Sequence, residues 1–211
     1  MSNPQPLVIV GAGGFAREAL DVAESAGGFE FLGFVADGRA DLAQIEARGA
    51  RYLGPVAMLD ELAADVQHVI AIGDGGVRHR IDEQWRHRPS ATLVHATAVQ
   101  GRNVVMAPGV VVCAGVLITS DITLGRHTHL NLGVTVGHDC RLDGYVTVNP
   151  GVSLSGNVTL GEEVNVGTGA VLIPGVTVGA RTVIGAGGVV VRDLPADVVA
   201  VGMPARPREP Q

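Results

Sequence analysis

The stretch LGRHTHLNLGVTVGHDCRL (Leu124–Leu142) repeats an aliphatic residue every sixth position, at Leu124, Leu130, Val136 and Leu142. The same spacing extends outward without a slip. It runs back through Ile118, Val112 and Met106, and forward through Val148, Leu154, Leu160, Val166, Leu172, Val178 and Ile184 to Val190. With hydrophobic residues at 46% of the chain, chance would fill fifteen such positions with a probability on the order of 10⁻⁵. A second row, two residues earlier in each unit, is small or β-branched, as at Val134, Cys140, Val146 and Val152. Glycine often follows the first row, at Gly125, Gly137, Gly161, Gly167, Gly179 and Gly185.

A period of six is not helical. Being even, it preserves the in/out alternation of a strand, and the recurrent Gly and Asn sites allow one turn per unit. Three units make an 18-residue triangular coil, and coils stack by parallel strand pairing at about 4.8 Å. Fifteen units predict five coils between 106 and 190 with no loop inserted. The segment 89–105, with looser repeats at Val94, Val99 and Val104, is expected to be transitional.

The N-terminal part alternates differently. Leu7–Val10 reads as a buried strand entering Gly11-Ala12-Gly13-Gly14-Phe15-Ala16, followed by a helix over 17–26. A glycine-rich turn between strand and helix suits an anion, because its backbone comes close and the helix start offers free N–H groups. A second strand, Phe31–Val35, ends near Asp37. That carboxylate stands where dinucleotide folds bind ribose hydroxyls, or it simply forms a turn before Gly38. A strand at 51–53, a helix over 57–64, a strand at 68–72 ending in Gly73-Asp74-Gly75-Gly76, and a helix over 77–86 complete about 88 residues. This is half of a dinucleotide fold, so a mononucleotide-sized site is expected. The boundary is placed near residue 90, dividing the chain into 1–89 and 90–211.

Composition narrows the function. A net charge of −6 argues against binding to nucleic acid or an anionic membrane. All fifteen basic residues are arginine, which excludes Schiff-base chemistry and a Walker-type lysine. Two cysteines, no signal peptide and no long apolar run suggest a cytoplasmic protein with reduced thiols. The histidines cluster at His127, His129 and His138, and His138, two positions past the inward Val136, should project outward beside Asp139. A carboxylate next to an imidazole holds its tautomer and stabilises the imidazolium that forms on proton uptake.

The chain resembles the bacterial nucleotide-sugar N-acetyltransferases that join an α/β N-terminal Rossmann-like domain to an all-β left-handed parallel β-helix. Known members acetylate a 4-amino sugar on UDP, as in bacillosamine synthesis, or perosamine on GDP, and sialic acid O-acetyltransferases share the architecture. The resemblance covers about residues 7–206. It rests on Gly11-Ala12-Gly13-Gly14, Ile72-Gly73-Asp74 with Arg78, the repeat, Leu130-Asn131, Val136-Gly137-His138-Asp139-Cys140, Ser155-Gly156-Asn157 and Gly202-Met203-Pro204-Ala205.

The resemblance implies acetyl-CoA as co-substrate and a homotrimer with active sites between subunits. It implies His138 as general base, Asp139 as its orienting acid, and the Gly156 N–H as oxyanion donor. Gly11, Gly13, Gly14, Phe15, Arg17, Asp37, Gly73, Asp74 and Asn131 would bind the nucleotide sugar. Thr147, Thr168 and Ala186 would line the CoA arm, and no metal is implied. Phe15 stands where the UDP-bacillosamine-type enzyme has His, Ala36-Asp37 replaces a paired Asp-Asp, and Asp139 replaces a Glu one methylene longer. Competing readings are sugar O-acetylation, a non-catalytic sugar-nucleotide-binding protein, and a γ-type carbonic anhydrase using the three histidines as zinc ligands.

Overall fold

The computed structural model describes residues 3–38 and 42–208. The N-terminal part forms β1 (Gln5–Val10), α1 (Gly14–Ala26), β2 (Phe29–Val35), α2 (Leu42–Glu46), β3 (Tyr52–Gly54), a 3-10 helix (Val56–Glu61), β4 (Gln67–Ile70) and α3 (Gly75–Trp85). The four strands are parallel in the order β3-β2-β1-β4. The chain order therefore reverses between β1 and β4, and ligands of open α/β sheets bind at such a switch point, beyond the carboxyl ends of the strands. β1 and β4 read as apolar runs because both faces of the sheet are covered. Leu7 and Ile9 pack with α1, while Val8 and Val10 pack with the 3-10 helix on the other side.

Two details differ from the sequence reading. The short helix α2 was not expected, and the helix expected over 57–64 is the shorter 3-10 helix Val56–Glu61. Pro55 stands immediately before it, and the Asp37 carboxylate accepts the Val56 N–H at 2.8 Å, fixing its start.

The rest of the chain is a triangular coil of three parallel walls. One wall stacks the strands Leu93–Val94, Val111–Val112, His129–Leu130, Thr147–Val148, Asn165–Val166, Val183–Ile184 and Val199–Val201, closed by antiparallel Arg206–Pro207. A second begins at Val99–Gln100 and ends at Val189–Val190, and the third runs from Val104–Met106 to Thr177–Val178. Leu93 pairs with Val111, Val99 with Leu117 and Val104 with Ile122, each 18 residues on, and the offset holds through Val171–Val189. The segment expected to be transitional is thus a coil in its own right. The second wall has six strands, so there are six coils where five were expected. Both apolar rows point inward: Leu130, Val136, Leu142, Val134, Cys140 and Val146 are all buried in one continuous core.

The turns are made by a row other than the one singled out. Positive φ recurs every six residues from Asn103 to Gly187, three positions after the inward aliphatic residue. Asn, Asp and Gly fill most of this row, being the residues that enter the left-handed region most readily. The glycines directly after the aliphatic row serve close stacking instead. A Cβ on Gly125 would lie 2.5 Å from main-chain atoms of Asp143 and Gly144, in the next coil.

The two roles separate by mutation. Gly151 has φ +68°, and a Cβ added there would meet nothing within 4 Å, so it should accept Asn at a cost below about 1 kcal/mol. Gly125→Ala should cost about 1–3 kcal/mol by overpacking. Chemical denaturation of both variants checks the order, and a reversed order would contradict these roles.

Candidate active site

The amino-terminal cleft lies at the switch point. Its volume is about 480 Å³, and Gly11, Gly13, Gly14 and Phe15 line one side and Ile72 and Gly73 the other. Gly11 must be glycine: its φ is +120°, and a Cβ there would meet the Ala71 carbonyl oxygen at 2.7 Å. The N-termini of α1 and α3 both open here, and neither has an acidic residue in its first turn. Among the described residues Asp37 is the one charged residue in the lining, and the main-chain N–H groups and helix dipoles there suit an anion.

Asp37 reaches the cleft while its Oδ1 accepts from Val56. Asp74 caps α3, accepting the Val77 N–H at 2.8 Å, and does not line the cleft. Arg17 also lies outside the lining, half-buried on α1, with its carbonyl facing Arg48.

A smaller pocket of about 190 Å³ shares Phe15 and Gly73 with the cleft and reaches the coil at His129, Asn131, Thr147 and Asn149. Thr147 is buried and donates its hydroxyl to the Gly73 carbonyl at 2.9 Å. It therefore does not share a surface with Thr168 and Ala186. Those two are exposed on another corner, one coil apart, where the Gly187 N–H donates to the Thr168 carbonyl.

His138 and Asp139 project from a third corner. The ring Nδ1 lies 2.7 Å from Asp139 Oδ2, so the shorter acid reaches its histidine. Asp139 takes the left-handed conformation, φ 61°, as the turn requires. Gly156 sits beneath the imidazole one coil on: a Cβ there would be 2.6 Å from both Cε1 and Nε2 of His138. Glycine at 156 thus brings the ring against bare main chain.

The sequence reading missed a buried polar joint between the two parts. Arg78 is fully buried, and all five of its N–H groups donate to carbonyls. Nε donates to His127, Nη1 to Ile72 and Gly73, and Nη2 to Tyr145 and Val146. Burial pushes its pKa down, to about 9, against the opposing charges of Asp74 and Glu163. Nearby, the buried Asp82 carboxylate accepts from Arg126, Arg86, the Tyr145 hydroxyl at 2.7 Å and His127 Nε2 at 3.0 Å. Burial alone would raise its pKa, but the hydrogen bonds from His127, Arg126 and Tyr145 outweigh it and hold the carboxyl well below its ordinary range. A sequence signal existed for this joint. Three successive corners facing α3 place His127, Tyr145 and Glu163 at the left-handed turn position, where Gly, Asn or Asp is usual. Glu163 there meets His79 Nδ1 at 2.6 Å.

The three histidines do not come together. His127 groups with His68 and Asp82, and among the described residues no cluster of metal-ligand type includes His138. His127 and His129 are buried inside the chain while His138 is exposed, so the first two do not stand on a surface where a second subunit could share a zinc ion.

A Rossmann-like half fold set against a left-handed β-helix, with an exposed His–Asp pair at one corner, defines a two-domain hexapeptide-repeat acyltransferase. Comparison with known proteins gives the same class. Residues 6–85 match the family described as the PglD N-terminal domain. A perosamine N-acetyltransferase from Caulobacter crescentus, solved as a variant with CoA and GDP-perosamine, is 34% identical over 97% of each chain, with a TM-score of 0.87, and PerB from the same organism, solved with the same ligands, is 36% identical over 97% of each chain, TM-score 0.86. The acetyltransferase domain of PglB from Neisseria gonorrhoeae, solved with acetyl coenzyme A, is 30% identical over 98% of this chain and 100% of that one, TM-score 0.88. WeeI from Acinetobacter baumannii AYE is 25% identical over 96% and 99%, TM-score 0.83. None of the curated proteins compared matches the chain. The chain belongs to the hexapeptide-repeat acyltransferases related to these nucleotide-sugar N-acetyltransferases. Among the described residues, no helix is long and apolar enough to cross a membrane.

The buried histidines make stability pH-dependent. Burial lowers the pKa of His68 to about 4, helped by the charge of His127. Burial likewise lowers His127, and it takes His129 well below 6.5. Between their folded values and 6.5 the unfolded chain binds protons that the folded chain does not, so stability falls as pH falls. Asp82 adds to this only below about pH 4, where the unfolded carboxyl begins to protonate while the folded one stays charged. Thermal unfolding at pH 5 should therefore show a lower midpoint than at pH 7.5, with His68 alone removing about 2 kcal/mol of stability over that range. His68→Gln should flatten that slope; an equal midpoint at both pH values would contradict the assignment.

Proposed function

We propose that the protein transfers the acetyl group of acetyl-CoA to the amine of a nucleotide-linked amino sugar. The observation that carries this reading is the His138–Asp139 pair, exposed at a corner with its ring over Gly156. Nδ1–H donates to Asp139, which leaves Nε2 as the proton acceptor facing outward. His138 takes the proton from the amine as it attacks the thioester carbonyl, main chain at Gly156 offers the N–H for the tetrahedral oxyanion, and collapse breaks the C–S bond, the CoA thiolate leaving with the proton from the imidazolium. Residues 1–89 hold the nucleotide and 90–211 carry the transfer. Substrate amine, acetyl donor and histidine are all that the step requires, with no metal.

The three outer walls support a trimer with composite sites. One wall is covered in its first coils by α1, which packs on Leu93, Val111 and Cys113. Another presents Thr123, Arg141, Thr159 and Thr177. The remaining wall exposes Val99, Leu117 and Val171 on either side of the half-buried Thr135 and Ser153, a largely apolar face of the kind buried between subunits. The corner of His138 borders that wall on one side and the corner of Thr168 and Ala186 on the other. Packing the wall against its symmetry mates brings the histidine of one subunit near the Thr168–Ala186 corner of the next, where the pantetheine arm would lie. Arg192, on the histidine corner, and Arg206 and Arg208 are exposed cations available to its phosphates, whereas Arg181 is engaged by Asp197 at 2.6 Å.

The reading is tested by thiol release from acetyl-CoA with UDP-, dTDP- and GDP-linked 4-amino sugars. One of them should be turned over, and His138→Ala should lower kcat by 10²-fold or more without changing the oligomer on size-exclusion chromatography. Release with none of the amines, or full activity in the variant, would overturn it.

A further inference from the structure

The turn beneath His138 is closed by a side chain instead of by its own main chain. At several corners of the coil the carbonyl after the inward aliphatic residue accepts the N–H three positions on, as Gly161 does from Val164 at 3.3 Å and Gly167 from Ala170 at 3.1 Å. At Ser155 the corresponding bond from Val158 is not made. The Cys140 thiol donates to the Ser155 carbonyl at 3.1 Å instead, and main chain at Val158 hydrogen-bonds to the sulfur. The sulfur thus stands between the two groups that would otherwise close the turn. Burial raises the pKa of this thiol, against the bond from Val158, so the S–H it donates is present at neutral pH.

Two other members of the inward small row carry a donor that reaches a carbonyl farther along the rod. Thr128 donates to Asp143 at 2.9 Å and Thr182 to Pro195 at 2.6 Å, both on the edge that bears Tyr145. Cys140 alone among the three acts at the histidine corner. There the consequence follows from peptide planarity. The Ser155–Gly156 peptide is trans, so its carbonyl and its N–H point in opposite directions. Cys140 lies in the core, and by drawing the carbonyl inward it turns the Gly156 N–H outward, toward the imidazole. That N–H has no acceptor among the described residues. Gly137 closes the other side: a Cβ there would lie 2.6 Å from both Gly156 N and the Ser155 carbonyl carbon.

We propose that Cys140 is a positioning residue for acetyl transfer: set into the turn 155–158, its thiol holds the Ser155–Gly156 peptide with the Gly156 N–H facing the reacting carbonyl beside His138. The inference rests on the acetyl-transfer reading above and deepens it. Cys140 touches neither substrate nor the reacting atoms and acts only through this peptide. Valine fills most of its row and packs there as well, but it has no donor. In Cys140→Val the Val158 N–H closes onto the Ser155 carbonyl, and the tilt of the peptide carries the Gly156 N–H off its direction.

Thiol release from acetyl-CoA tests this, with whichever of the UDP-, dTDP- and GDP-linked 4-amino sugars the wild type turns over. Cys140→Val should keep the thermal midpoint and both KM values while kcat falls about tenfold or more, toward the loss of an oxyanion donor. Cys140→Ser, whose hydroxyl both donates and accepts, should recover most of that loss although it suits an apolar core less well. Stability and kcat should therefore rank the two variants in opposite orders, which a packing role alone would not give. The pH dependence of kcat, set by His138, should not move in either. Wild-type kcat in Cys140→Val, or equal losses in both variants, would overturn the proposal. Should Cys140→Val not fold, Cys140→Ala takes its place. The hold on the peptide is read without turnover, from the infrared difference between wild type and Cys140→Val. The S–H stretching band lost in the variant should lie below that of a thiol in an apolar solvent, and a band at the apolar-solvent position would overturn the proposal. If the band is lowered yet no amine releases thiol from the wild type, the acetyl-transfer reading fails and the hold stands. If thiol is released but kcat ignores Cys140, the positioning role fails and acetyl transfer stands.

Discussion

The Arg78 guanidinium fixes the relation of the two domains. A buried arginine is tolerated when every donor is matched, and here the five partners come from both sides, Ile72 and Gly73 from the cleft and His127, Tyr145 and Val146 from the coil. The planar fork demands all of them in one geometry. The same Gly73 carbonyl also accepts from Thr147. The glycine turn after β4, which forms one wall of the cleft, is thereby held directly against the β-helix. Gly75, two residues on, packs so closely that a Cβ would stand 2.5 Å from the Tyr145 carbonyl oxygen. Around this joint the buried Asp82 carboxylate pairs with Arg86 and Arg126.

The β-helix imposes a complementary constraint. Its core is filled by two inward rows, and each coil contacts the next through main-chain pairing and close glycine contacts. Such a stack offers little freedom to rearrange inside. Room for polar side chains outside the core lies at the corners, where the left-handed residue and the one before it project outward. His138 with Asp139, His127, Tyr145 and Glu163 all occupy corners.

Much of this was legible in the sequence. The six-residue period needs no knowledge of distant contacts, because each unit repeats the same local demand, and it sets the coil and its register. The glycine-rich turn after β1 was equally plain, since a strand, a tight turn and a helix follow one another directly. The first coil was hidden because the aliphatic row breaks at Gln100, six positions before Met106, while the outward Val99 and Val105 are apolar. The glycine rows were confused because both φ freedom and close approach select the same residue, and only coordinates separate them. Arg78 and Asp82 could not be placed from spacing: their partners on the coil lie 44 to 68 residues away. Thr147 fits the repeat as well as Thr168 does, and only the docking of the α/β domain over the first of them sets the two apart.

The bulky corner residues have a consequence for how such proteins can diversify. His127, Tyr145 and Glu163 occupy three successive steps of one edge, and neighbouring steps are spaced by about 4.8 Å. They act as notches on a ruler, setting how far along the rod the α/β domain is mounted. Shifting the three notches by one step would slide the amino-terminal cleft by that distance past the histidine corner while leaving the rod's interior untouched. The reach between donor and acceptor is thus written in surface residues, and it can be rewritten without disturbing the core that holds the rod together.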